Sequence, residues 1–314
     1  MSTLTTAAAI PQSRRSAAEV FHALALWVCA LGGMGLTLAL TVYGFGYYTL
    51  GQAQRVYSPK HILLKPSGVL GIRLGFLGLA FFLLLFLYAI RKSMKSLSRI
   101  GNSRRWLNFH VILGIMAPVV ITFHSSFKFR GLAGIAYWIM IAVAVSGVVG
   151  RYIYAQIPRS IGAAELSKKE LREQSEHLAD KLKSQEVLAP GDFAGLLRLP
   201  AAGQVESMSA LTVLGYMMRY DVTRFWQIAG LRRKALRSFR GRASLWGMVR
   251  SHHAQVESVI DCLKEEAFLE KKILFLSKAQ EMFQLWHVVH RPFSYSFVVL
   301  AGIHIVVALL FGYF

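Results

Sequence analysis

Long apolar blocks alternate with short basic loops along most of this chain. An apolar run of about 20 residues is long enough to cross a bilayer as a helix. Five blocks meet or approach that length: Phe21–Leu50, Val69–Ile90, Leu107–Phe123, Leu132–Tyr154 and Leu285–Phe311. The third is the shortest and has a histidine near each end. The pattern predicts five transmembrane helices. The first block is too long for a signal peptide, so we expect a retained anchor.

A polar stretch separates the fourth and fifth blocks. Within it, Leu166, Leu171, Leu178 and Leu182 recur near helical spacing among Lys and Glu, which favours an amphipathic helix. Pro190-Gly191 and Pro200 predict a loop. From about residue 243 onward the pattern predicts a long helix that leads into the fifth block.

These elements predict an all-α integral membrane protein. We expect a five-transmembrane-helix bundle with a helical cytoplasmic insertion between helices 4 and 5. The predicted parts are a cytoplasmic tail (1–20), transmembrane helices 1–4 (21–155), the helical cytoplasmic domain (156–284) and transmembrane helix 5 (285–314).

The distribution of charge predicts the orientation. The chain is 54% hydrophobic and has a formal net charge of +20. All acidic residues except Glu19 lie between Glu165 and Glu281. The loop between the second and third blocks is the most basic, with Arg91, Lys92, Lys95, Arg99, Arg104 and Arg105. Because cytoplasmic loops of membrane proteins are enriched in Lys and Arg, the N-terminus and 156–284 are predicted to be cytoplasmic and the C-terminus extracytoplasmic. We therefore expect a multi-pass protein of the plasma (inner) membrane, and a nucleic-acid partner is not expected.

Two pairs of histidines stand out because each is separated by 14 residues: His110 with His124, and His290 with His304. Fourteen residues make nearly four helical turns, so both members of a pair lie on one face, about 21 Å apart. Under the predicted topology the third and fifth helices both run from the cytoplasmic side of the membrane to the outer side. His110 is then level with His290 near the cytoplasmic side, and His124 with His304 near the outer side.

Two facing imidazoles at each of two levels predict two bis-histidine iron sites. Neutral imidazole ligates haem iron, and two axial histidines leave the iron no open position. The sequence thus predicts two non-covalent b haems that transfer electrons. No Cys-x-x-Cys-His motif for covalent haem is present, and Cys29 and Cys262 are too few for an iron–sulfur cluster.

Some assignments stay open at this level. His287 precedes His290 by one turn and is the alternative inner ligand. Arg151 and Arg291 are candidate partners for haem propionates, since Arg pairs well with carboxylates, although both also suit a membrane anchor. His22 and His61 lie near opposite membrane surfaces, where a quinone site remains open. We expect His177, His252 and His253 to face solvent.

The segments NFHVILGIMAPVVITFH and HRPFSYSFVVLAGIH resemble the membrane core of the ferric reductase and NADPH oxidase superfamily. In that superfamily the third and fifth helices also carry two haem-ligating histidines each. The resemblance covers about residues 110–125, 131–155 and 287–311, and other respiratory b-type subunits use similar spacing. It implies a diheme membrane cytochrome. The chain has no Gly-x-Gly-x-x-Gly after a strand and no P-loop, so we expect the electron donor to be a quinol or another protein.

The resulting expectation is an oxidoreductase subunit that transfers electrons across the membrane within a hetero-oligomeric respiratory complex. It would link a quinone pool or cytoplasmic donor to an extracytoplasmic partner such as a multihaem cytochrome c or an iron–sulfur subunit. The alternatives are a stand-alone ferric or quinone reductase, and a haem-free scaffold or transporter. The basic cluster in the cytoplasmic domain is expected to contact membrane lipid or an acidic redox partner; it comprises Arg232, Arg233, Lys234, Arg237, Arg240 and Arg242.

Overall fold

The computed structural model describes residues 16–99, 101–157, 164–183, 188, 190–238, 250–251 and 253–312. In these residues the regular secondary structure is helical, with one short 3-10 turn at Gln54–Tyr57. The α-helices are α1 (Ala17–Tyr48), α2 (His61–Leu64), α3 (Val69–Ser93), α4 (Lys95–Ser98), α5 (Ser103–His124), α6 (Gly131–Gln156), α7 (Ala164–Lys183), α8 (Pro190–Leu197), α9 (Ala202–Ser207), α10 (Ala210–Ser238) and α11 (Ala254–Leu310).

Five described segments are long and apolar enough to cross a membrane: Ala17–Tyr48, His61–Ser93, Arg105–His124, Gly131–Gln156 and Ala254–Leu310. They coincide with the five apolar blocks, which confirms the predicted helices in number and order. Many large apolar side chains on them are exposed, among them Trp27, Leu83 and Trp138. An apolar exterior of this extent is typical of helices surrounded by lipid.

Local sequence sets where several helices begin. Ser16 caps α1 in a reciprocal arrangement: its hydroxyl accepts from the Glu19 amide, and the Glu19 carboxylate accepts from the Ser16 amide. The prediction of a loop at Pro190-Gly191 is wrong, because Pro190 is the first residue of α8. Proline suits the first helical position, where its missing N–H would have no partner in the helix.

The chain divides into two compact units. One contains the chain up to Val148 together with the segment from His290 onward, and the other is Val149–Val289. In the first unit, α1, α3 and α5 share a core of Leu40, Leu74, Val120 and Phe123. Glycines permit close approach there: a Cβ on Gly33 would lie 2.3 Å from the Met116 side chain, and one on Gly78 would lie 2.3 Å from Ile121.

The second unit has hydrophobic clusters of its own. One cluster brings Leu196, Leu236 and Leu263 together, and another brings Val213, Met217 and Phe275 together. Lys271 is 1% exposed, and its ammonium contacts both Asp221 carboxylate oxygens at 2.7 and 2.8 Å. The Tyr152 hydroxyl donates to the same carboxylate at 2.7 Å. A buried cation, a carboxylate and a phenol therefore join α6, α10 and α11.

The residues of the predicted basic cluster differ in how far they are buried. Arg232 is buried and forms two hydrogen bonds with the Glu257 carboxylate, at 2.8 and 3.0 Å. Its expected contact with lipid or an acidic partner is therefore wrong, since this guanidinium is already paired inside the unit. Arg233, Lys234 and Arg237 are exposed. Arg240 and Arg242 lie outside the described residues.

Candidate metal centre

His124 is the last residue of α5, and its position is fixed by the segment that follows. Ser126 and Phe127 have φ values of 49° and 60°, a left-handed conformation that non-glycine residues rarely adopt. Ser126 is completely buried and its hydroxyl donates to the Leu64 carbonyl. The Arg55 guanidinium donates to the Ser126 carbonyl and, at 2.7 and 3.0 Å, to the carbonyls of Tyr48 and Leu50. This network holds the end of α5 against the preceding helices.

The His124 ring is held by α3. Its Nδ1 lies 2.8 Å from the Gly71 carbonyl oxygen, which only accepts hydrogen bonds. Nδ1 therefore carries the proton, and the lone pair of Nε2 is available to a metal. Gly75 lies beneath the ring: a Cβ there would be 2.8 Å from His124 Cε1, closer than real side chains pack.

His304, on α11, faces His124. Their ring centres are 6.4 Å apart, and their planes are inclined by 72°. An imidazole nitrogen lies about 2 Å from a bound metal and the ring centre about 1 Å further, so two axial imidazoles on one iron have centres about 6 Å apart. The separation of these two rings thus fits a bis-histidine haem iron.

His290, also on α11, is oriented by α6. Its Nδ1 lies 2.7 Å from the Ser146 hydroxyl oxygen. Because the Ser146 hydroxyl donates to the Val143 carbonyl at 2.8 Å, we infer that it accepts the proton from Nδ1 of His290. In this tautomer Nε2 of His290 is the nitrogen with the lone pair, as it is in His124. Oriented imidazoles with the second nitrogen bonded to an oxygen are characteristic of metal ligands.

His110, on α5, has an unsatisfied polar atom. Its Nδ1 is buried and has no hydrogen-bond partner, and its ring lies 4.9 Å from that of Tyr88. An unpartnered buried nitrogen is costly unless a ligand uses it. Among the described residues, no ring contact joins His110 to His290 as one joins the outer pair. The pairing of these inner histidines stays a prediction.

His287 differs from His290 in its surroundings. Its Nδ1 lies 3.1 Å from the carbonyl of Phe283, one turn earlier in the same helix. Its ring packs edge-on against Phe283 and Trp286, with centres 4.5 and 4.7 Å apart. The Phe283 carbonyl holds Nδ1 of His287 much as the Gly71 carbonyl holds Nδ1 of His124, so these contacts do not decide between the two histidines. The choice of His290 over His287 stays a prediction.

The other predicted residues are described by their own contacts and exposure. His22 contacts Asn108 at 3.4 Å and Phe109, and His61 accepts or donates a 3.1 Å hydrogen bond with the Tyr47 hydroxyl. Arg151 lies over the Tyr154 ring, and Arg291 is exposed. Their roles toward propionates stay predictions. His177 and His253 are exposed, as predicted, and His252 lies outside the described residues.

Three residues that hold the histidines were missed from sequence: Gly71, Gly75 and Ser146. Gly71 and Gly75 form a small-xxx-small pair within an apolar block, a pattern that signals close helix approach. Ser146 carries no such signal, because a single serine in a span equally suits a bond to its own helix. Its contact with His290 joins residues 144 positions apart.

Within the described residues, no group of three or more His, Cys, Asp or Glu side chains is arranged to hold a metal ion. The candidate centre rests on the ring contact between His124 and His304. No protein-family model, curated protein or solved structure matches this chain.

Proposed function

We propose that this chain is a diheme b-type membrane cytochrome that transfers electrons across the bilayer. The observation that carries the proposal is the outer pair, His124 and His304, with ring centres 6.4 Å apart. A haem bound between two histidines supplies one-electron redox chemistry without an open coordination position. His124 and His304 would hold the outer haem, and His110 and His290 would hold the inner one.

The spacing of the histidines along α5 and α11 supports two proposed haem positions at different depths. His110 and His124 lie on the single helix α5, and His290 and His304 on the single helix α11. Each helix separates its two histidines by 14 residues, or about 21 Å along the axis. The surrounding residues orient the rings and exclude water: Gly71 and Ser146 hold protons on Nδ1, and the apolar spans shield both levels from solvent.

The proposed role in the cell rests on the predicted orientation of the chain in the membrane and on the two histidine pairs. With the N-terminus and 156–284 in the cytoplasm, the outer level lies toward the extracytoplasmic side. A haem held by two histidines at each level would supply one-electron transfer. The chain then acts as the membrane subunit of a respiratory-type complex, between a quinone pool or cytoplasmic donor and an extracytoplasmic cytochrome or iron–sulfur protein.

Haem content of single variants tests the proposal. His124→Ala and His304→Ala should each remove one of two b haems per chain, because they remove ligands of the same iron. The double variant should lose no more than either single change. His177→Ala is the matched control, since this exposed histidine lies on α7 in the other unit. Retention of both haems in the double variant, or no haem in the unaltered protein, refutes the assignment.

A further inference from the structure

Helix α10 carries a row of large apolar side chains that the domain core does not use. Leu211, Met218, Val222, Phe225 and Trp226 are between 44% and 83% exposed. Their spacing of seven, four, three and one residues places them within about 100° of one another around the helix. We call this set the α10 apolar face. It extends over about four turns, or roughly 22 Å.

The opposite side of α10 already packs the interior. Val213 and Met217 are fully buried, and Tyr220 is 8% exposed. Burial of the Tyr220 ring raises the pKa of its phenol to about 12, so it stays protonated while its hydroxyl donates to the Leu196 carbonyl. Among the described residues, the side of α10 opposite the apolar face packs the interior, and the apolar face itself is exposed.

The charged side chains beside the apolar face indicate the kind of partner it binds. Arg219, Arg233 and Arg237 lie on the same side of α10 as Trp226 and border the apolar face. The only acidic residue of the helix, Asp221, points toward the interior, where it binds Lys271 and Tyr152. This side of α10 thus combines aromatic and aliphatic groups with guanidinium groups and has no carboxylate of its own.

Chain connectivity identifies the partner. Two helices, α6 and α11, run without a break between this unit and apolar stretches long enough to cross a membrane. Once those stretches insert, the unit is held beside the bilayer. Trp and Phe are typical of the apolar face of interfacial helices, and Arg binds phosphate groups. We propose that α10 is an interfacial helix whose apolar face binds a membrane surface that contains anionic phospholipid.

The proposal rests on membrane insertion but not on haem binding. The interior packing of Val213 and Met217 restricts the contact to one face, and that face continues beyond Tyr220 to Trp226.

Spin-label depth measurements on the full chain in lipid nanodiscs test this inference. With Cys29 and Cys262 replaced by Ser, a label is placed on Val222→Cys, on the apolar face, or on Gln227→Cys, on the exposed polar side about 140° away. A third label on Leu83→Cys, an exposed position of α3, reports insertion itself. Accessibility to oxygen and to a water-soluble nickel chelate is compared in phosphatidylcholine with and without phosphatidylglycerol.

We expect the Val222 label to be oxygen-accessible and protected from nickel in discs with phosphatidylglycerol, and the Gln227 label to stay nickel-accessible. Arg219→Gln/Arg233→Gln/Arg237→Gln should weaken this protection, since each Arg near an anionic surface contributes about fivefold at most. Equal nickel access at Val222 and Gln227, with Leu83 protected, overturns the inference. So does spin–spin coupling between Val222 labels of two chains, which would show that a second copy covers the face. Nickel access at Leu83 would instead refute membrane insertion.

Discussion

Ser146→Ala isolates the contact that orients the inner candidate ligand. The substitution removes only the hydroxyl oxygen 2.7 Å from Nδ1 of His290 and leaves an apolar side chain of similar size. The substitution therefore removes the contact from which the proton is assigned to Nδ1 of His290. We expect the inner haem to bind more weakly and the outer haem to be unchanged, because His124 is held by Gly71 on another helix.

The size of the effect follows from the geometry of this contact. An intramolecular hydrogen bond contributes about 0.5–1.5 kcal/mol net, and a buried N–H left without a partner costs about 1–3 kcal/mol. Loss of the oxygen that orients a metal-bound histidine typically reduces metal affinity about 10- to 100-fold. We therefore expect inner-haem affinity to fall by about 1.4–2.7 kcal/mol.

Two readouts measure this change. The first is the rate at which haem leaves the purified protein, which should rise for one of two haems. The second is the midpoint potential: an Nδ1–H···O bond makes the imidazole a stronger donor and favours ferric iron, so its loss should raise one potential by roughly tens of millivolts. Ser146→Thr keeps the hydroxyl and should restore both values.

Ser294→Ala is the matched control. The Ser294 hydroxyl donates to the backbone carbonyl of His290 at 2.7 Å and does not contact its ring. It should leave both potentials in place. If Ser146→Ala changes neither the dissociation rate nor either potential, or if Ser294→Ala has the same effect, Ser146 does not orient the ligand and the assignment of His290 loses its main support.

Three further perturbations test other parts of the structure. Gly75→Ala adds a Cβ 2.8 Å from His124 Cε1, so the ring must move and the outer haem should be lost while the inner one stays. Lys271→Met leaves the Asp221 carboxylate without its buried cation and should lower the free energy of unfolding by about 3–5 kcal/mol, measured by denaturant titration in detergent. Burial raises the pKa of Glu257, but hydrogen bonds from Ser251 and Arg232 outweigh it, and the net pKa lies below the ordinary value of 4.5. This contribution to stability is present above pH 4.5 and is lost as the pH falls through the lowered pKa, so Glu257→Gln should flatten the acid side of the stability profile.

Each of these changes has a control within the chain. Gly35→Ala adds a Cβ in open space on α1 and should keep both haems. Lys278→Met removes an i,i+3 contact with the exposed Glu281 and should cost less than about 1 kcal/mol. For the acid profile, Asp261→Asn removes a carboxylate that pairs with Arg250 near the surface. Equal effects in a variant and its control would contradict the packing described for that site.

The long apolar blocks were sufficient to predict the helices that carry the histidines. The spans are long and strongly apolar, so their ends are marked by charges and glycines, and α5 and α11 fall where the pattern puts them. Pro190 was misread because a proline marks both a loop and the first turn of a helix. Arg232 was misread because linear charge clusters do not show which guanidinium turns inward to a distant carboxylate.

The spacing of histidines identified the ligand candidates but not how they are held. Fourteen-residue separations place two rings on one helix face, a local property of the sequence. The Gly71 carbonyl, the Ser146 hydroxyl and the Arg55 network depend on which helices are neighbours, and single-sequence patterns carry little of that information. The choice of His290 over His287 stays a prediction; the Ser146 hydroxyl contacts the His290 ring and the Phe283 carbonyl contacts the His287 ring.

The reduced-minus-oxidised optical spectrum of the purified chain, with haem quantified per polypeptide, is the most direct test of the central claim. We predict a b-type α-band, two non-covalent haems per chain, and loss of one haem in His124→Ala/His304→Ala. A protein that folds in detergent and shows no α-band, or keeps both haems in the double variant, would contradict it.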